Sequence, residues 1–143
     1  MSNQSGLRVG LDVGSTTLKC VVLNEEGNSL FQSYARHGAQ ITAQVMALLP
    51  KIKEILNGRP AYLCVSGSAG MGVAQACGLP FLQEVYATRI ALKRQLPDTD
   101  VAIELGGEDA KILFLTNGLE VRMNGSCAGG TGAFIDRWLL YLP

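Results

Sequence analysis

The sequence is poor in charge and shows no excess of either sign. Lys plus Arg and Asp plus Glu number 12 each, charged residues make up only 17% of the 143 residues, and no basic tract stands out. Proteins that bind nucleic acid or an anionic membrane surface do so largely through clustered Lys and Arg. We therefore expect neither nucleic acid nor a membrane among the partners. A small anionic ligand is still allowed, because backbone N–H groups bind anions without net positive charge.

Long apolar runs are absent too. No stretch approaches the roughly 18 residues that a membrane-spanning helix requires, and the polar start, 1–6 (MSNQSG), lacks the apolar segment of a signal peptide. Hydrophobic residues nevertheless make up 48% of the chain, a balance that is typical of a globular protein with a buried core. We expect a cytoplasmic protein.

Cysteine and histidine are scarce. The four cysteines are far apart and form no CxxC pair, so the sequence predicts neither disulfides nor a complete four-cysteine metal site within the chain. Cys20, Cys64 and Cys77 lie in or beside apolar segments and are predicted to be core residues. The single histidine, His37, has no carboxylate or serine partner near it in sequence, so we predict a turn residue rather than a catalytic base.

Two common catalytic motifs are missing. The chain has no G-x-x-x-x-G-K-[ST] phosphate loop, and Ser66 does not sit in the G-x-S-x-G turn of a hydrolase nucleophile. The segment 66–70 (SGSAG) is therefore either a further ligand-facing loop or only a strand-to-helix connection.

Periodicity and turn residues predict alternating strands and helices. Three strands, 7–12, 18–23 and 29–36, are separated by turn-forming residues and are expected to form an antiparallel meander. Apolar residues at helical spacing predict a helix from Ile41 to Ile55, ended by Asn57-Gly58. The later predicted elements are a strand at 62–66, a short helix at 73–77 that is closed by Gly78, a helix or a brief strand and helix within 81–96, strands at 101–105, 110–115 and 119–123, and a final helix.

This order of elements predicts an α/β fold. The order β-β-β-α-β-α-α over 1–97 resembles a ribonuclease-H-like lobe with crossover helices on a mixed sheet. The order β-β-β-α then begins again over 98–143, which we interpret as the incomplete start of a second, similar lobe. The final helix has an apolar face that needs a partner layer. We expect the chain to be a fragment of a longer protein, the alternative being that this face packs on another subunit.

The turn after the first strand has the composition of a phosphate-binding loop. In 12–19 (DVGSTTLK), glycine allows a tight turn, and hydroxyls with successive N–H groups can form an anion-binding concavity. Asp12 could hold Mg²⁺ through water. The simpler interpretation is an ordinary hairpin turn. The candidate nucleotide-binding residues in this segment are Gly14, Ser15, Thr16, Thr17 and Lys19.

The segment 104–111 (ELGGEDAK) repeats this arrangement, with an acid near the end of a strand, two glycines, further acids and the next strand. One such loop per lobe would hold the phosphates of a nucleotide from both sides, so the presence of both weakens the interpretation of either as an ordinary turn. Glu104 is the counterpart of Asp12. The other candidate nucleotide-binding residues in this segment are Gly106, Gly107, Glu108 and Asp109.

Cys127 differs from the other cysteines. It lies in a glycine-rich stretch, 124–132 (NGSCAGGTG), just before an apolar helical pattern. The N–H groups and dipole of a helix N-terminus favour a thiolate or an oxyanion, so Cys127 could ligate an iron–sulfur cluster. The alternative is a small core residue. One cysteine cannot hold a cluster, so other ligands would have to come from a partner chain or from further sequence.

Three segments together carry a resemblance to a known family. The segments 10–17 (GLDVGSTT), 104–111 (ELGGEDAK) and 124–134 (NGSCAGGTGAF) resemble the N-terminal part of the activator ATPases of 2-hydroxyacyl-CoA dehydratases and the related benzoyl-CoA reductase subunits. These proteins belong to the superfamily of sugar kinases, heat-shock chaperones and actin. The resemblance covers nearly the whole chain, and the cysteine segment is its most specific part.

The resemblance implies an ATP- and Mg²⁺-dependent activator whose homodimer holds one [4Fe–4S] cluster between its subunits. The reduced cluster would donate an electron to an acyl-CoA dehydratase or reductase component, and ATP hydrolysis would make that transfer one-way. Cys127 matches the first of two cluster cysteines in each subunit. The second cysteine and the adenosine-binding glycine motif would lie in a later segment that the chain lacks. The implied catalytic residues, which organise Mg²⁺ and water, are Asp12 and Glu104.

The chain also departs from the pattern of the small stand-alone activators. Glu104 and Glu108 stand where those proteins usually have Asp and Gln, and this variant resembles the large fused relatives. Two alternatives share the expected fold. One is a small-molecule kinase of the amino-sugar type, in which Cys127 is incidental. The other is a non-catalytic, actin-like interaction module, which would not need two loops of glycine and acid.

Overall fold

The computed structural model describes residues 6–107, 109–116 and 118–123. The chain divides into two compact units, Met1–Glu84 and Val85–Pro143. The predicted final helix and the cysteine segment that precedes it lie outside the described residues, as do Glu108 and Asn117. The division into lobes at residue 97 stays a prediction.

The first unit is built on a four-stranded mixed sheet with the strand order β3-β2-β1-β4. The first three strands are antiparallel neighbours, whereas β4 runs parallel to β1 along its other edge. This antiparallel pairing confirms the predicted meander. Each predicted strand also lies within one residue of the observed one. The strands are β1 Leu7–Val13, β2 Thr17–Leu23, β3 Ser29–Arg36 and β4 Ala61–Ser66.

One face of this sheet carries the core of the unit. Successive residues of a strand point to opposite faces, so the four alternate residues of β1 from Leu7 to Val13 share a face, and all of them are at most 4% exposed. Leu18 and Val22 of β2 and Val65 of β4 join the same cluster. The opposite face therefore carries the polar residue Asp12.

Two helices complete this core. The helix α1, Ile41–Leu56, contributes Leu48 and Ile52, and the helix α2, Gly70–Cys77, contributes Ala74. Of the apolar positions whose spacing predicts α1, Leu48 and Ile52 are buried, whereas Leu49 is 42% exposed.

The ends of both helices agree with the predicted caps. Asn57 follows α1 in the left-handed region, with φ 45 and ψ 45, and its N–H donates to the Lys53 carbonyl. Gly78 follows α2 with φ 63. Both residue types are favoured at such positions, because glycine has no Cβ and asparagine tolerates this conformation better than most side chains.

The start of α2 was predicted three residues too late. The sequence assigned 70–72 to a loop because glycine is a poor helix former, yet the helix begins at Gly70. A Cβ atom on Gly70 would lie 3.0 Å from Val65 Cγ1, so the close packing of α2 on β4 requires a residue without a side chain there. Packing against the sheet thus outweighs helix propensity.

The cysteine predictions are confirmed in only one case. Cys20 is 3% exposed and belongs to the core. Cys64 is only partly buried, because it points to the face of β4 opposite Val65. The prediction for Cys77 is wrong: it ends α2 and is exposed, since the last turn of this short helix extends beyond the core cluster.

The remaining described elements are one helix and a second sheet. Before the helix, Phe81 forms a parallel bridge with Val65, which confirms the alternative of a brief strand followed by a helix. The second sheet is antiparallel, with the order β5-β6-β7. Its predicted strands are again correct within one residue. The elements are α3 Glu84–Gln95, β5 Val101–Leu105, β6 Ala110–Phe114 and β7 Glu120–Met123.

Within the described part of the chain, none of the helices combines the length and the apolar character that crossing a membrane requires.

The packing of α1 can be tested with two substitutions on the same helix. We expect Ile52→Ala to lower the free energy of unfolding by about 2–5 kcal/mol, because it removes a side chain that is 4% exposed and leaves a cavity. The control, Leu49→Ala, removes a side chain that is 42% exposed and should cost about 0.5 kcal/mol or less. Chemical denaturation followed by circular dichroism measures both. Equal losses would contradict this arrangement of α1.

The exposure of the cysteines predicts their reactivity. Burial raises the pKa of the Cys20 thiol, so the reactive thiolate forms at a higher pH than in an exposed thiol. At neutral pH we expect iodoacetamide to modify the exposed Cys77 much faster than Cys20. Peptide mass spectrometry of the native and denatured protein measures the two rates separately. We expect Cys20 and Cys77 to react at equal rates only after denaturation. Equal rates in the native protein would show that Cys20 is accessible.

Candidate functional site

The first unit brings two loops together at one end of its sheet. Because β4 runs parallel to β1, with Asp12 opposite Ser66, the loop after each strand begins at the same edge. In open α/β sheets, ligands bind where the carboxyl ends of parallel strands meet. The β1–β2 turn, residues 14–16, and the β4–α2 loop, residues 67–69, therefore form the first candidate site.

Asp12 and Lys19 form an ion pair at this edge. They are direct partners in the antiparallel pairing of β1 with β2, and Lys19 Nζ lies 2.7 Å from Asp12 Oδ2. The side chains are 38% and 41% exposed, so solvent screens the pair and its contribution to stability is about 0–1 kcal/mol. The Lys19 ammonium also lies 5.8 Å from the centre of the Tyr34 ring. A carboxylate and an ammonium are thus held in place beside the turn while both stay accessible to a ligand.

The β1–β2 turn is a tight hairpin connection. The Gly14 N–H donates to the Thr17 carbonyl at 2.9 Å. Ser15 at its tip is exposed, whereas Thr17 is 9% exposed. Within residues 6–107, the N–H groups of Ser15 and Thr16 have no hydrogen-bond acceptor. Unpaired successive N–H groups can bind anions, so the turn is suited to phosphate binding, which stays a prediction.

The β4–α2 loop packs directly against this turn. The Ala69 N–H donates to the Val13 carbonyl at 2.9 Å. Gly67 has φ 93, and a Cβ atom there would collide with the Val13 carbonyl and with Asp12 Oδ1. The loop therefore packs closely on the Asp12 carboxylate, because its glycine leaves room for the backbone. That the loop also faces a ligand stays a prediction.

Sequence reasoning missed the contact of His37 with the site. His37 does lie in a turn, as predicted, but it is 4% exposed, and its Nε2 lies 3.0 Å from the Gly14 carbonyl oxygen. The two residues are 23 positions apart. A hydrophilic turn sequence gives no signal of such a contact. The contact arises because the sheet places the end of β3 beside the β1–β2 turn.

The second unit contains a hairpin of the same construction. Glu104 and Lys111 are direct partners in the pairing of β5 with β6, and Lys111 Nζ lies 3.3 Å from Glu104 Oε1. The Gly106 N–H donates to the Asp109 carbonyl at 2.8 Å. Lys111 Nζ also lies 3.3 Å from Asp109 Oδ2. Gly107 is partly buried beside Gly106.

The two hairpins match residue by residue. In each, the acid precedes the turn glycine by two positions, the glycine N–H donates to the carbonyl three positions later, and the lysine lies seven positions after the acid. They differ in burial: the Lys19 side chain is 41% exposed and that of Lys111 only 4%. Lys19 can thus reach a ligand, whereas Lys111 is held by the Glu104 and Asp109 carboxylates.

Glu104 is oriented by two donors. Besides Lys111, the Thr88 hydroxyl of α3 donates to Glu104 Oε2 at 3.4 Å. The Glu104 side chain is 31% exposed. A carboxylate that is fixed by two partners and still reached by solvent can orient a water molecule.

The described residues contain no complete metal site. No group of three or more His, Cys, Asp or Glu side chains in 6–107, 109–116 and 118–123 could hold a metal ion. A single accessible carboxylate such as Asp12 nevertheless fits Mg²⁺, which usually keeps several waters and is held by one or two carboxylates together with substrate phosphates. Cys127 lies outside the described residues.

Sequence comparison relates the chain to two named activators. The (R)-2-hydroxyglutaryl-CoA dehydratase activating ATPase of Acidaminococcus fermentans is 26% identical over 132 residues, which are 90% of this chain and 50% of that protein. The 2-hydroxyisocaproyl-CoA dehydratase activator of Clostridioides difficile is 29% identical over 138 residues, 90% of this chain and 49% of that protein. The chain thus spans about half the length of the curated relatives it matches. No family model matches the chain.

Solved structures of similar proteins confirm the predicted fold. The crystal structure of component A of the Acidaminococcus fermentans (R)-2-hydroxyglutaryl-CoA dehydratase aligns with a TM-score of 0.79 and 23% identity over 97% of this chain and 56% of that one. The Clostridium difficile activator with bound ADPNP aligns with a TM-score of 0.75 and 25% identity over 96% and 53%. The ethanolamine utilization protein EutJ of Carboxydothermus hydrogenoformans aligns with a TM-score of 0.63 and 19% identity over 96% of this chain and 58% of that one. The chain therefore has an α/β fold of the actin and sugar-kinase type.

The close approach of the β4–α2 loop can be tested with two glycines. We expect Gly67→Ala to lower the free energy of unfolding by about 1–3 kcal/mol, because Gly67 has φ 93 and no room for a Cβ atom. The control is Gly72→Ala in α2, where nothing lies within 4 Å of the added Cβ and the helix should gain up to about 1 kcal/mol. Urea denaturation measures both. A Gly67→Ala protein as stable as the wild type would contradict the tight contact.

Proposed function

Because the chain has homologues among the activating ATPases of 2-hydroxyacyl-CoA dehydratases, we propose that the native protein is an ATP-dependent activator of such an enzyme. It transfers one electron to a 2-hydroxyacyl-CoA dehydratase or a benzoyl-CoA-reductase-like partner in the cytoplasm. The observation that carries the proposal is the β1–β2 turn, where unpaired N–H groups lie beside a half-exposed carboxylate and ammonium.

The proposed role of the first hairpin is to bind nucleotide phosphates. The N–H groups and hydroxyls of Ser15 and Thr16 would donate to phosphate oxygens, with Gly14 and Thr17 completing the turn. Lys19 would neutralise phosphate charge, because its ammonium is accessible beside the turn. Asp12 would accept hydrogen bonds from the water shell of Mg²⁺, which when bound would offset charge on the phosphates.

The proposed role of the second hairpin is to line the phosphates and to orient the attacking water. Glu104 is suited to this, because Thr88 and Lys111 fix its carboxylate. In the hydrolysis of ATP, water attacks the terminal phosphorus, ADP leaves and a proton is released, so a fixed carboxylate that accepts that proton lowers the barrier. The glycines Gly106 and Gly107, with Glu108 and Asp109, would form the loop around the phosphates.

The electron-transfer part of the proposal rests on the resemblance of 124–134 to the cysteine segment of the activators. Cys127 would ligate a [4Fe–4S] cluster shared by two copies of the protein. When bound and reduced by an external one-electron donor, the cluster would supply the electron that the partner receives. The acyl-CoA chemistry would then belong to the partner.

Two substitutions should separate nucleotide binding from cluster binding in the native protein, purified without oxygen. We expect Lys19→Met to raise the Kd for MgATP about 10- to 100-fold, because one charge-assisted contact is lost, and to leave the iron content unchanged. We expect Cys127→Ser to lose the iron and keep MgATP binding. Isothermal titration and iron analysis measure the two properties.

Matched controls are available on the exposed surface. Lys51→Met in α1 and Cys77→Ser in α2 remove the same groups from exposed positions. Both control proteins should bind MgATP and iron like the wild type. A wild-type protein without iron would refute the electron-transfer role, and a wild-type protein that does not bind MgATP would refute the ATPase role.

A further inference from the structure

The buried imidazole of His37 contacts the phosphate-binding turn without lining it. His37 is 4% exposed, and both of its ring nitrogens have hydrogen-bond partners. Building on the proposed function, we propose that His37 is a positioning residue which fixes the β1–β2 turn in the shape that binds nucleotide phosphates.

The hydrogen bonds define the state of the ring. The Ala39 N–H donates to Nδ1 at 3.1 Å, so Nδ1 carries a lone pair and no proton. The remaining ring proton therefore lies on Nε2, which donates to the Gly14 carbonyl at 3.0 Å. A neutral ring in this tautomer satisfies both partners at once. His37 thus connects the end of β3 to the turn through both ring nitrogens.

The backbone around His37 is shaped to present the ring. Gly38 and Ala39 have φ values of 52 and 62, and the Gln40 N–H donates to the His37 carbonyl at 2.8 Å. This is the arrangement of a mirror-image β-turn. Alanine in the left-handed region costs about 1–2 kcal/mol, and such strain persists only where surrounding contacts impose it. The bond from Ala39 to the ring is one such contact.

His37 engages the turn at two points. Its backbone N–H donates to the Thr16 carbonyl at 3.1 Å, and its ring donates to the Gly14 carbonyl. Both carbonyl oxygens carry partial negative charge, which would repel a bound phosphate. Donation to them reduces that repulsion and fixes the Gly14–Ser15 and Thr16–Thr17 peptide planes. The first of these planes contains the Ser15 N–H, one of the unpaired donors. His37 therefore acts on the ligand through the turn.

Two substitutions separate the two ring contacts. In His37→Gln the side-chain amide nitrogen is as many bonds from Cβ as Nε2, so it can still donate to the Gly14 carbonyl. In His37→Asn the side chain is shorter; it can accept from Ala39 N–H at the position of Nδ1 but cannot reach Gly14. His37→Gln thus keeps the contact with the Gly14 carbonyl, whereas His37→Asn keeps only the contact with the Ala39 N–H.

The test measures MgATP affinity, thermal stability and amide hydrogen exchange in the native protein at its full natural length. We expect His37→Asn to raise the Kd for MgATP about 10-fold and to speed exchange in the peptide containing 14–17. We expect His37→Gln to stay within about twofold of wild type in both measurements. A purely structural role would lower Tm in both variants without separating their MgATP affinities.

The outcomes decide the proposal in either direction. If His37→Gln has the MgATP affinity and the slow exchange of the wild type, and His37→Asn has neither, the result supports positioning through Gly14. Equal Kd values for the two variants overturn it. If the wild-type protein does not bind MgATP, the proposed function fails. Exchange then decides the positioning role alone, and unchanged exchange at 14–17 in His37→Asn overturns that role as well.

Discussion

The parallel pairing of β1 with β4 is the contact on which the first candidate site depends. It places Asp12 opposite Ser66, so the loops that follow the two strands meet at one edge. The approach is close enough that Gly67 has no room for a side chain beside the Asp12 carboxylate. On the other side of the same turn, β3 brings His37 to the Gly14 carbonyl. The shape of this short, glycine-containing turn is thus imposed by its neighbours on both sides.

The two hairpins show how one local design serves different purposes when its burial changes. Both place a lysine opposite an acid across a glycine turn. A buried ammonium is costly unless carboxylates compensate its charge, and Lys111 contacts two of them, on Glu104 and Asp109. That lysine therefore organises its own hairpin. Lys19, facing one carboxylate and solvent, keeps its charge available to a ligand.

Much of the fold could be predicted from the sequence because its signals are local. Alternating apolar residues and turn-forming residues gave the strands within one residue, and Asn57 and Gly78 marked the helix ends. Contacts between distant segments could not be predicted in this way. They determine the early start of α2 at Gly70, the exposure of Cys77 and the burial of His37.

The candidate site shows the same contrast between local sequence signals and contacts of distant segments. The acids and glycines of both turns, together with Lys19, were proposed from composition and spacing, whereas Lys111 was not singled out. The ion pairs of both lysines follow from strand register. What spacing could not supply was the difference in burial between the two lysines, which depends on the packing of each sheet. The roles of Glu108 and Cys127, outside the described residues, stay predictions, as do the second cluster ligand and the homodimer.

The order of strands along the chain also sets the order in which the first site can be completed during synthesis. β1, β2, β3 and the His37 turn lie within residues 7–40, so the hairpin and its histidine contact need only neighbouring sequence. β4 and Gly67 emerge from the ribosome later, and a domain generally folds as a unit. Until they arrive, β1 lacks its parallel neighbour and the Asp12 carboxylate lacks its neighbouring loop. The residues of one half of the site are therefore synthesised before those that close the sheet.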